Sequence, residues 1–144
     1  MKIYIASDHG GFELKAKLTE FINTNYPFQV EDLGALELDP ADDYPVYAKA
    51  LSQKVVATPE SFGILICKTG VGMSIAANRF QGIFAALCTT KDHAIRSRQH
   101  ENANVICLDS EFIDFETNLE IVKLFLNTPF SNEERHVRRI KMID

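Results

Sequence analysis

Residues 63–74 read GILICKTGVGMS, and this stretch decides the fold class. An uninterrupted apolar run passes into a loop with two glycines and then into a segment of helical character. An apolar run without alternation is typical of a strand that is buried on both faces of a parallel sheet. Four further apolar runs lie at residues 3–7, 28–33, 83–88 and 103–108. Amphipathic segments separate them, so the pattern predicts a doubly wound α/β sheet with right-handed crossovers.

The helices are expected in the segments between and after these runs. Apolar residues recur at helical spacing over residues 12–22 and 47–55, and further helices are predicted at Gly72–Arg79, Lys91–Gln99, Phe112–Asn127 and Glu133–Met142. The longest irregular stretch, Gly34–Pro45, is too short to divide the chain. A length of 144 residues fits one domain, so residues 1–144 are expected to form a single unit.

Composition excludes several classes of function. The chain has 15 Lys and Arg against 20 Asp and Glu, a net charge of −5, which disfavours duplex nucleic acid as a partner. No apolar run approaches the roughly 18 residues of a membrane span, and none resembles an export signal. The three cysteines show no CxxC spacing, which argues against a disulfide framework or a zinc site. A cytoplasmic location is the simplest expectation.

The loop after the strand that ends at Cys67 carries the strongest chemical signal. In open α/β sheets a ligand binds outside the carboxyl ends of the strands. A glycine-bearing loop there points backbone N–H groups at an anion, and the positive end of a helix favours the thiolate form of a nearby cysteine. The alternative is a buried apolar cysteine followed by an ordinary turn, and this segment by itself favours that alternative.

Two other clusters add to this signal. Asp8-His9-Gly10-Gly11 follows the first strand, as either a functional pair or a helix cap beside a solvated histidine. Arg135 and Arg139 stand at i and i+4 of a predicted helix, so their guanidinium groups share a face and suit a phosphate. A solvated basic helix end is the alternative for the arginines, and His136 between them is expected at the surface. His100 precedes the fifth strand and should lie at the opposite edge of the sheet.

Taken together, the motifs resemble those of the ribose-5-phosphate isomerase B family, which includes galactose-6-phosphate isomerase subunits. The matching segments are IASDHGGF at 5–12, DYP at 43–45, GILIC at 63–67, TGVGMSIAAN at 69–78, SRQH at 97–100 and ANV at 103–105, then Arg135, His136 and Arg139. The resemblance implies a Rossmann-like three-layer α/β/α sandwich with a five-stranded parallel sheet. It also implies a cofactor-free aldose–ketose isomerase of ribose 5-phosphate and ribulose 5-phosphate, with no metal ion.

The resemblance assigns catalytic roles to four residues. Cys67 corresponds to the base that moves a proton between C1 and C2 of the open-chain sugar through an enediolate. Thr69, Asp8 and His100 correspond to groups that open the sugar ring and orient the chain.

The substrate-binding set implied by the resemblance is larger. It comprises Asp8, His9, Tyr44, Lys68, Thr69, Gly70, Val71, Gly72, Glu101, Arg135 and Arg139. Within it, His9 and the two arginines bind the phosphate, and the loop from Lys68 to Gly72 presents N–H groups to the enediolate oxygen. The family forms dimers, often paired into tetramers, whose active sites are shared between subunits. Such sharing would bring His100 of one subunit to the site of the other.

The sequence departs from the family pattern at the substrate site. Lys68 stands in place of a glycine, Glu101 in place of an asparagine, Glu111 in place of an arginine, and Asp109 in place of a glycine. Lys68 could pair with Glu101 or Glu111 across a subunit boundary. These exchanges leave two alternatives open: an isomerase of a hexose 6-phosphate of the galactose or allose type, and a catalytically silent partner subunit that binds sugar phosphate.

Overall fold

The computed structural model describes residues 1–143 and contains one five-stranded sheet. Its strands are β1 (Lys2–Ser7), β2 (Gln29–Asp32), β3 (Phe62–Cys67), β4 (Ala85–Leu87) and β5 (Val105–Asp109). Every neighbouring pair is parallel, and the order across the sheet is β2-β1-β3-β5-β4. The predicted α/β class and the five parallel strands are confirmed.

Helices cover both faces of this sheet. They are α1 (Phe12–Asn25), α2 (Tyr44–Ala57), α3 (Val71–Ala77), α4 (Lys91–Glu101), α5 (Phe115–Asn127) and α6 (Glu134–Ile140), with a 3-10 turn at His9–Gly11. Successive side chains of a strand point to opposite faces. Ile64 and Ile66 of β3 accordingly pack with α1 and α5, whereas Leu65 and Cys67 pack with α2 and α3. The three-layer sandwich is therefore confirmed. None of the helices within residues 1–143 is long and apolar enough to cross a membrane.

Most element boundaries differ from the sequence prediction by one to three residues, and two of these differences have a clear local cause. Helix α5 begins at Phe115 rather than Phe112, because the Asp114 side chain accepts a hydrogen bond from the N–H of Thr117 at 2.7 Å and caps the helix there. Strand β4 is limited to three residues, and its predicted first residue, Ile83, instead closes a turn onto the carbonyl of Phe80 at 3.1 Å.

The strand order places a crevice at one edge of the sheet. The chain passes from β1 to β2 on one side, and then crosses β1 to place β3 on the other. Crossovers that leave in opposite directions open a space outside the carboxyl ends of the two strands. The residues at that edge are those that follow Ser7 and Cys67.

Candidate active site

The loops that follow β1 and β3 are in direct contact at this edge. A Cβ atom added to Gly10 would lie 2.6 Å from Cγ of Lys68 and 3.1 Å from its backbone nitrogen. No side chain fits in that space, so only glycine allows the two loops to approach this closely. The contact brings Asp8 and His9 to the loop that begins at Lys68.

Cys67 ends β3 with its side chain in the layer between the sheet and α3. The residue is only 6% exposed, and the N–H of Gly70 donates a hydrogen bond to its Sγ at 3.2 Å. Gly70 adopts a left-handed φ of 72°, and a Cβ there would lie 3.0 Å from the carbonyl oxygen of Leu108. The glycine thus lets the loop turn back so that an N–H group faces the sulfur atom.

The other N–H groups of the loop are used in different ways. That of Val71 donates to Oγ1 of Thr69 at 3.3 Å. Within residues 1–143, the N–H of Gly72 donates to no group of the chain, so it remains available to an oxygen of a ligand. Gly72 also packs against Tyr44, whose Cζ would lie 2.7 Å from an added Cβ. The expected N–H-bearing loop is present, although two of its donors already have partners inside the loop.

Asp8 lies directly beside this loop and is buried. Its Oδ1 accepts hydrogen bonds from the N–H groups of Gly10 at 2.9 Å and Gly11 at 3.3 Å, so Asp8 acts as a cap, which was one of the two alternatives for this residue. Burial raises the pKa of Asp8, against the opposing effects of His9 and of these two hydrogen bonds. A carboxyl group with a raised pKa is suited to exchanging protons with a bound ligand.

His9 is held by Asp42, a residue that the sequence analysis did not single out. Oδ1 of Asp42 lies 2.6 Å from Nδ1 of His9 and accepts the backbone N–H of the same residue at 3.1 Å. The pair fixes the imidazole ring with Nε2 directed away from Asp42. In the sequence, Asp42 is one of several acidic residues in an irregular loop, and nothing there sets it apart. Ligand atoms of Asp8, His9 and Asp42 lie within 4.8 Å of one another, so within residues 1–143 these three residues are close enough to hold a metal ion.

The remaining candidate residues lie at the opposite edge of the sheet. His100 and Glu101 end α4, and Arg135 and Arg139 are exposed on α6. Cys67 pairs in register with Asp109, the last residue of β5. Helix α4 ends before the first residue of that strand. The five residues of β5 span about 13 Å, so this placement of His100 agrees with the sequence prediction. One chain therefore carries two separate groups of candidate residues.

His136 is not at the surface, contrary to the sequence prediction. It is buried, its Nδ1 lies 2.9 Å from Oγ of Ser131, and its ring centroid lies 4.3 Å from that of His100. It is buried because α6 packs back against α4. The buried ring of His136 therefore packs against the ring of His100. The flanking Arg135 and Arg139 are exposed.

Fold and site together are those of an α/β enzyme with a small-molecule site: a buried thiol, a buried carboxyl group and the N–H of Gly72 converge on the crevice of a parallel sheet. Residues 3–143 match the family model described as Ribose/Galactose Isomerase. The chain belongs to the ribose/galactose isomerase family.

Individual relatives align along almost the whole chain. A protein of Mycoplasma pneumoniae named probable ribose-5-phosphate isomerase B is 50% identical over 98% of this chain and 91% of its own length. The crystal structure of a ribose 5-phosphate isomerase from Thermotoga maritima is 48% identical, with a TM-score of 0.94 over 99% of this chain and 97% of that one. Ribose-5-phosphate isomerase B from Mycoplasma genitalium, whose structure has ribulose-5-phosphate bound, is 44% identical, with a TM-score of 0.94 over 99% and 93% of the two chains.

Proposed function

We propose that this chain is an aldose–ketose isomerase that interconverts ribose 5-phosphate and ribulose 5-phosphate, with Cys67 as the group that moves the proton. The substrate is supported by the relatives, which are named ribose-5-phosphate isomerase B, and by the ribulose-5-phosphate in the Mycoplasma genitalium structure. The single observation that supports Cys67 is its position at the crevice, with the N–H of Gly70 3.2 Å from its sulfur.

The proton transfer needs two things from the protein: a base for the proton on C2, and hydrogen-bond donors for the charge that develops on O1. The thiolate of Cys67 takes the proton from C2 of the open-chain aldose, and the electron pair of that C–H bond forms the C1–C2 double bond of an enediolate. Negative charge then develops on O1, where fixed N–H donors such as that of Gly72 stabilise it; the loss of one such donor typically costs roughly 10²–10³ in rate. Cys67 then returns its proton to C1, and the proton of the O2 hydroxyl passes to O1 as the C2 carbonyl forms, which gives the ketose.

The other carboxyl-edge residues prepare the sugar for this step. Asp8, with its raised pKa, is suited to exchanging the proton of the ring oxygen or the anomeric hydroxyl as the ring opens. Thr69 within the loop, and Tyr44 packed against Gly72, orient the sugar hydroxyls at the mouth of the crevice. His9, held by Asp42, directs Nε2 toward the phosphate.

The active unit proposed for this reaction is a dimer in which each site draws on both chains. One subunit supplies Cys67 and Asp8, and the partner supplies His100 with Arg135 and Arg139 from its α4 and α6. Support comes from the separation of these groups to opposite edges of one sheet, which leaves each group incomplete in a single chain. Binding of the phosphate by the arginines then holds C1 and C2 in place against the thiol.

The proposed function predicts turnover of ribose 5-phosphate to ribulose 5-phosphate by the purified protein without added metal or redox cofactor. We expect kcat/KM for ribose 5-phosphate to exceed that for galactose 6-phosphate and allose 6-phosphate by at least about tenfold, because a site shaped for a pentose rejects the extra carbon. Faster turnover of either hexose phosphate would instead support the hexose alternative. Tight binding of sugar phosphate without turnover would identify a silent partner subunit.

A second prediction concerns the two arginines on α6. Arg135→Ala or Arg139→Ala should each raise KM by roughly 10–100-fold, since a hydrogen bond to a charged group contributes about 1.5–3 kcal/mol. Arg135 is already paired with Glu133 at 2.8 Å, so Glu133→Gln should leave KM unchanged or lower it. Lys141→Ala removes the same charge from an exposed residue just after α6 and serves as the control. Unchanged KM in both arginine variants would return the pair to an ordinary solvated helix face.

A further inference from the structure

The turn that follows β5, residues 109–112, lies against both loops of the crevice. Its first residue, Asp109, is buried and is the register partner of Cys67. Oδ1 of Asp109 accepts the N–H groups of Glu111 at 2.9 Å and Phe112 at 2.7 Å. The carboxylate is therefore used to close the turn, and the turn has a defined shape.

Ser110 connects this turn to the two loops that carry the reactive groups. Its Oγ lies 2.7 Å from the carbonyl oxygen of Gly10 and 3.0 Å from that of Cys67. Its N–H donates to the same carbonyl of Cys67 at 3.2 Å. A hydroxyl group has one hydrogen, so Oγ donates to these two carbonyls in alternation or shares its hydrogen between them. One side chain thus spans the gap between the loop of Asp8 and the end of β3.

A further hydrogen bond fixes the same spacing. The N–H of Glu111 donates to the carbonyl of Lys68 at 3.0 Å. The turn therefore holds two successive carbonyls, those of Cys67 and Lys68, and the side chain of Ser110 adds a hydrogen bond to the loop after β1. Without it, no hydrogen bond from the turn reaches the loop that carries Asp8, within the part of the chain that the structure describes.

We propose that Ser110 is a positioning residue for the isomerase: its hydroxyl sets the spacing between the loop of Asp8 and the thiol of Cys67. This inference rests on the proposed function, because Cys67 and Asp8 act on one sugar only if their separation is fixed. A misplacement of about 1 Å between reacting groups can cost roughly 10²-fold in rate. The Ser110 hydroxyl acts through the backbone and does not need to touch the substrate.

Ser61 offers a matched control, because it lies at the end of β3 opposite to Cys67. It precedes β3, is buried, and its Oγ likewise faces two carbonyls, that of Thr58 at 2.7 Å and that of Val55 at 3.4 Å. Ser61→Ala therefore removes an equivalent pair of contacts, but away from Cys67.

The experiment compares Ser110→Ala, Ser110→Thr and Ser61→Ala by kcat, KM, melting temperature and the rate at which iodoacetamide alkylates Cys67. We expect Ser110→Ala to lower kcat by roughly 10–100-fold with KM within about threefold of the unchanged protein. Ser110→Thr keeps the hydroxyl and should restore kcat. Alkylation of Cys67, followed by mass spectrometry of its peptide, should be at least about threefold faster in Ser110→Ala, because the end of β3 opens more readily.

Two results would overturn the inference. One is an unchanged kcat and an unchanged alkylation rate in Ser110→Ala. The other is an equal loss of kcat in Ser61→Ala, which would show a general loss of stability. If the unchanged protein has no isomerase activity, the proposed function fails by itself. The alkylation rates then decide on Ser110: faster alkylation in Ser110→Ala alone supports the inference, and equal rates in all variants reject it.

Discussion

Replacement of Cys67 by alanine is expected to abolish isomerisation while leaving the fold and the affinity for sugar phosphate largely intact. Alanine cannot accept a proton, and a positioned general base typically contributes roughly 10²–10⁴-fold in rate. Binding should persist because the phosphate ligands proposed for this site, His9 and the two arginines of α6, do not involve the sulfur atom. The measurements are kcat for ribose 5-phosphate and the dissociation constant of the same sugar phosphate by calorimetry.

The other two cysteines provide the controls for this result. Cys88 and Cys107 are buried in the two hydrophobic clusters of the sheet. Burial raises the pKa of Cys88 to about 11 and that of Cys107 well above the ordinary value, so both remain protonated thiols at neutral pH. Cys88→Ala and Cys107→Ala should each lower the free energy of unfolding by about 1 kcal/mol with little change in kcat. Substantial turnover by Cys67→Ala would remove Cys67 from the reaction.

The strands were predictable because a strand that is buried on both faces of a sheet consists of consecutive apolar residues. The run that became β3 was recognised to within one residue, since it has no polar residue between Gly63 and Cys67. The start of α5 was not, because Phe112 looks like part of the amphipathic pattern that follows. The backbone N–H of Phe112 instead donates to Asp109 at 2.7 Å. Phe112 therefore belongs to a turn, and the spacing of apolar residues does not reveal such a turn.

The order of the strands could not be obtained from the pattern of apolar runs. That pattern identifies which segments are strands but not which of them pair. In the structure β3 pairs with β5 rather than with β4, the next strand in the chain, and β4 lies at the outer side of β5. Such pairing is decided by packing between segments far apart in sequence. The pattern of apolar runs supplied the α/β class, the resemblance to a known family added the three-layer sandwich, and the structure supplied the strand order.

The candidate site shows the same division. Cys67, Asp8 and the glycine loop were predictable from a general rule, because they follow strands that end at the ligand-binding edge. Asp42 was not singled out, and Ser110 was noted after the fifth strand without a role, because their contacts are hydrogen bonds to residues 33 and 100 positions away. The burial of His136 was missed because α6 looks like a basic surface helix until it is placed against α4.

The proposed distribution of the active site between two chains leads to the last prediction. His100 lies at the edge of the sheet opposite to Cys67, about 13 Å away along β5, which is too far for both to contact one sugar. If two subunits related by a two-fold axis bring His100 of each to Cys67 of the other, two equivalent sites form. Each subunit then needs its partner for activity, and this dependence is measurable with pairs of inactive variants.

Inactive Cys67→Ala and inactive His100→Ala chains, mixed and allowed to exchange subunits, should regain activity. In a heterodimer of the two, one site combines the intact Cys67 of one chain with the intact His100 of the other, and the second site lacks both. Each heterodimer should therefore reach about half the activity of the unchanged dimer, and a random equimolar mixture about a quarter. The matched control mixes the unchanged protein with a chain carrying both substitutions, whose heterodimers should be inactive, so that exchange lowers the total activity. Native mass spectrometry establishes that exchange has occurred; an inactive mixture of exchanged single variants would mean that His100 serves its own chain or none.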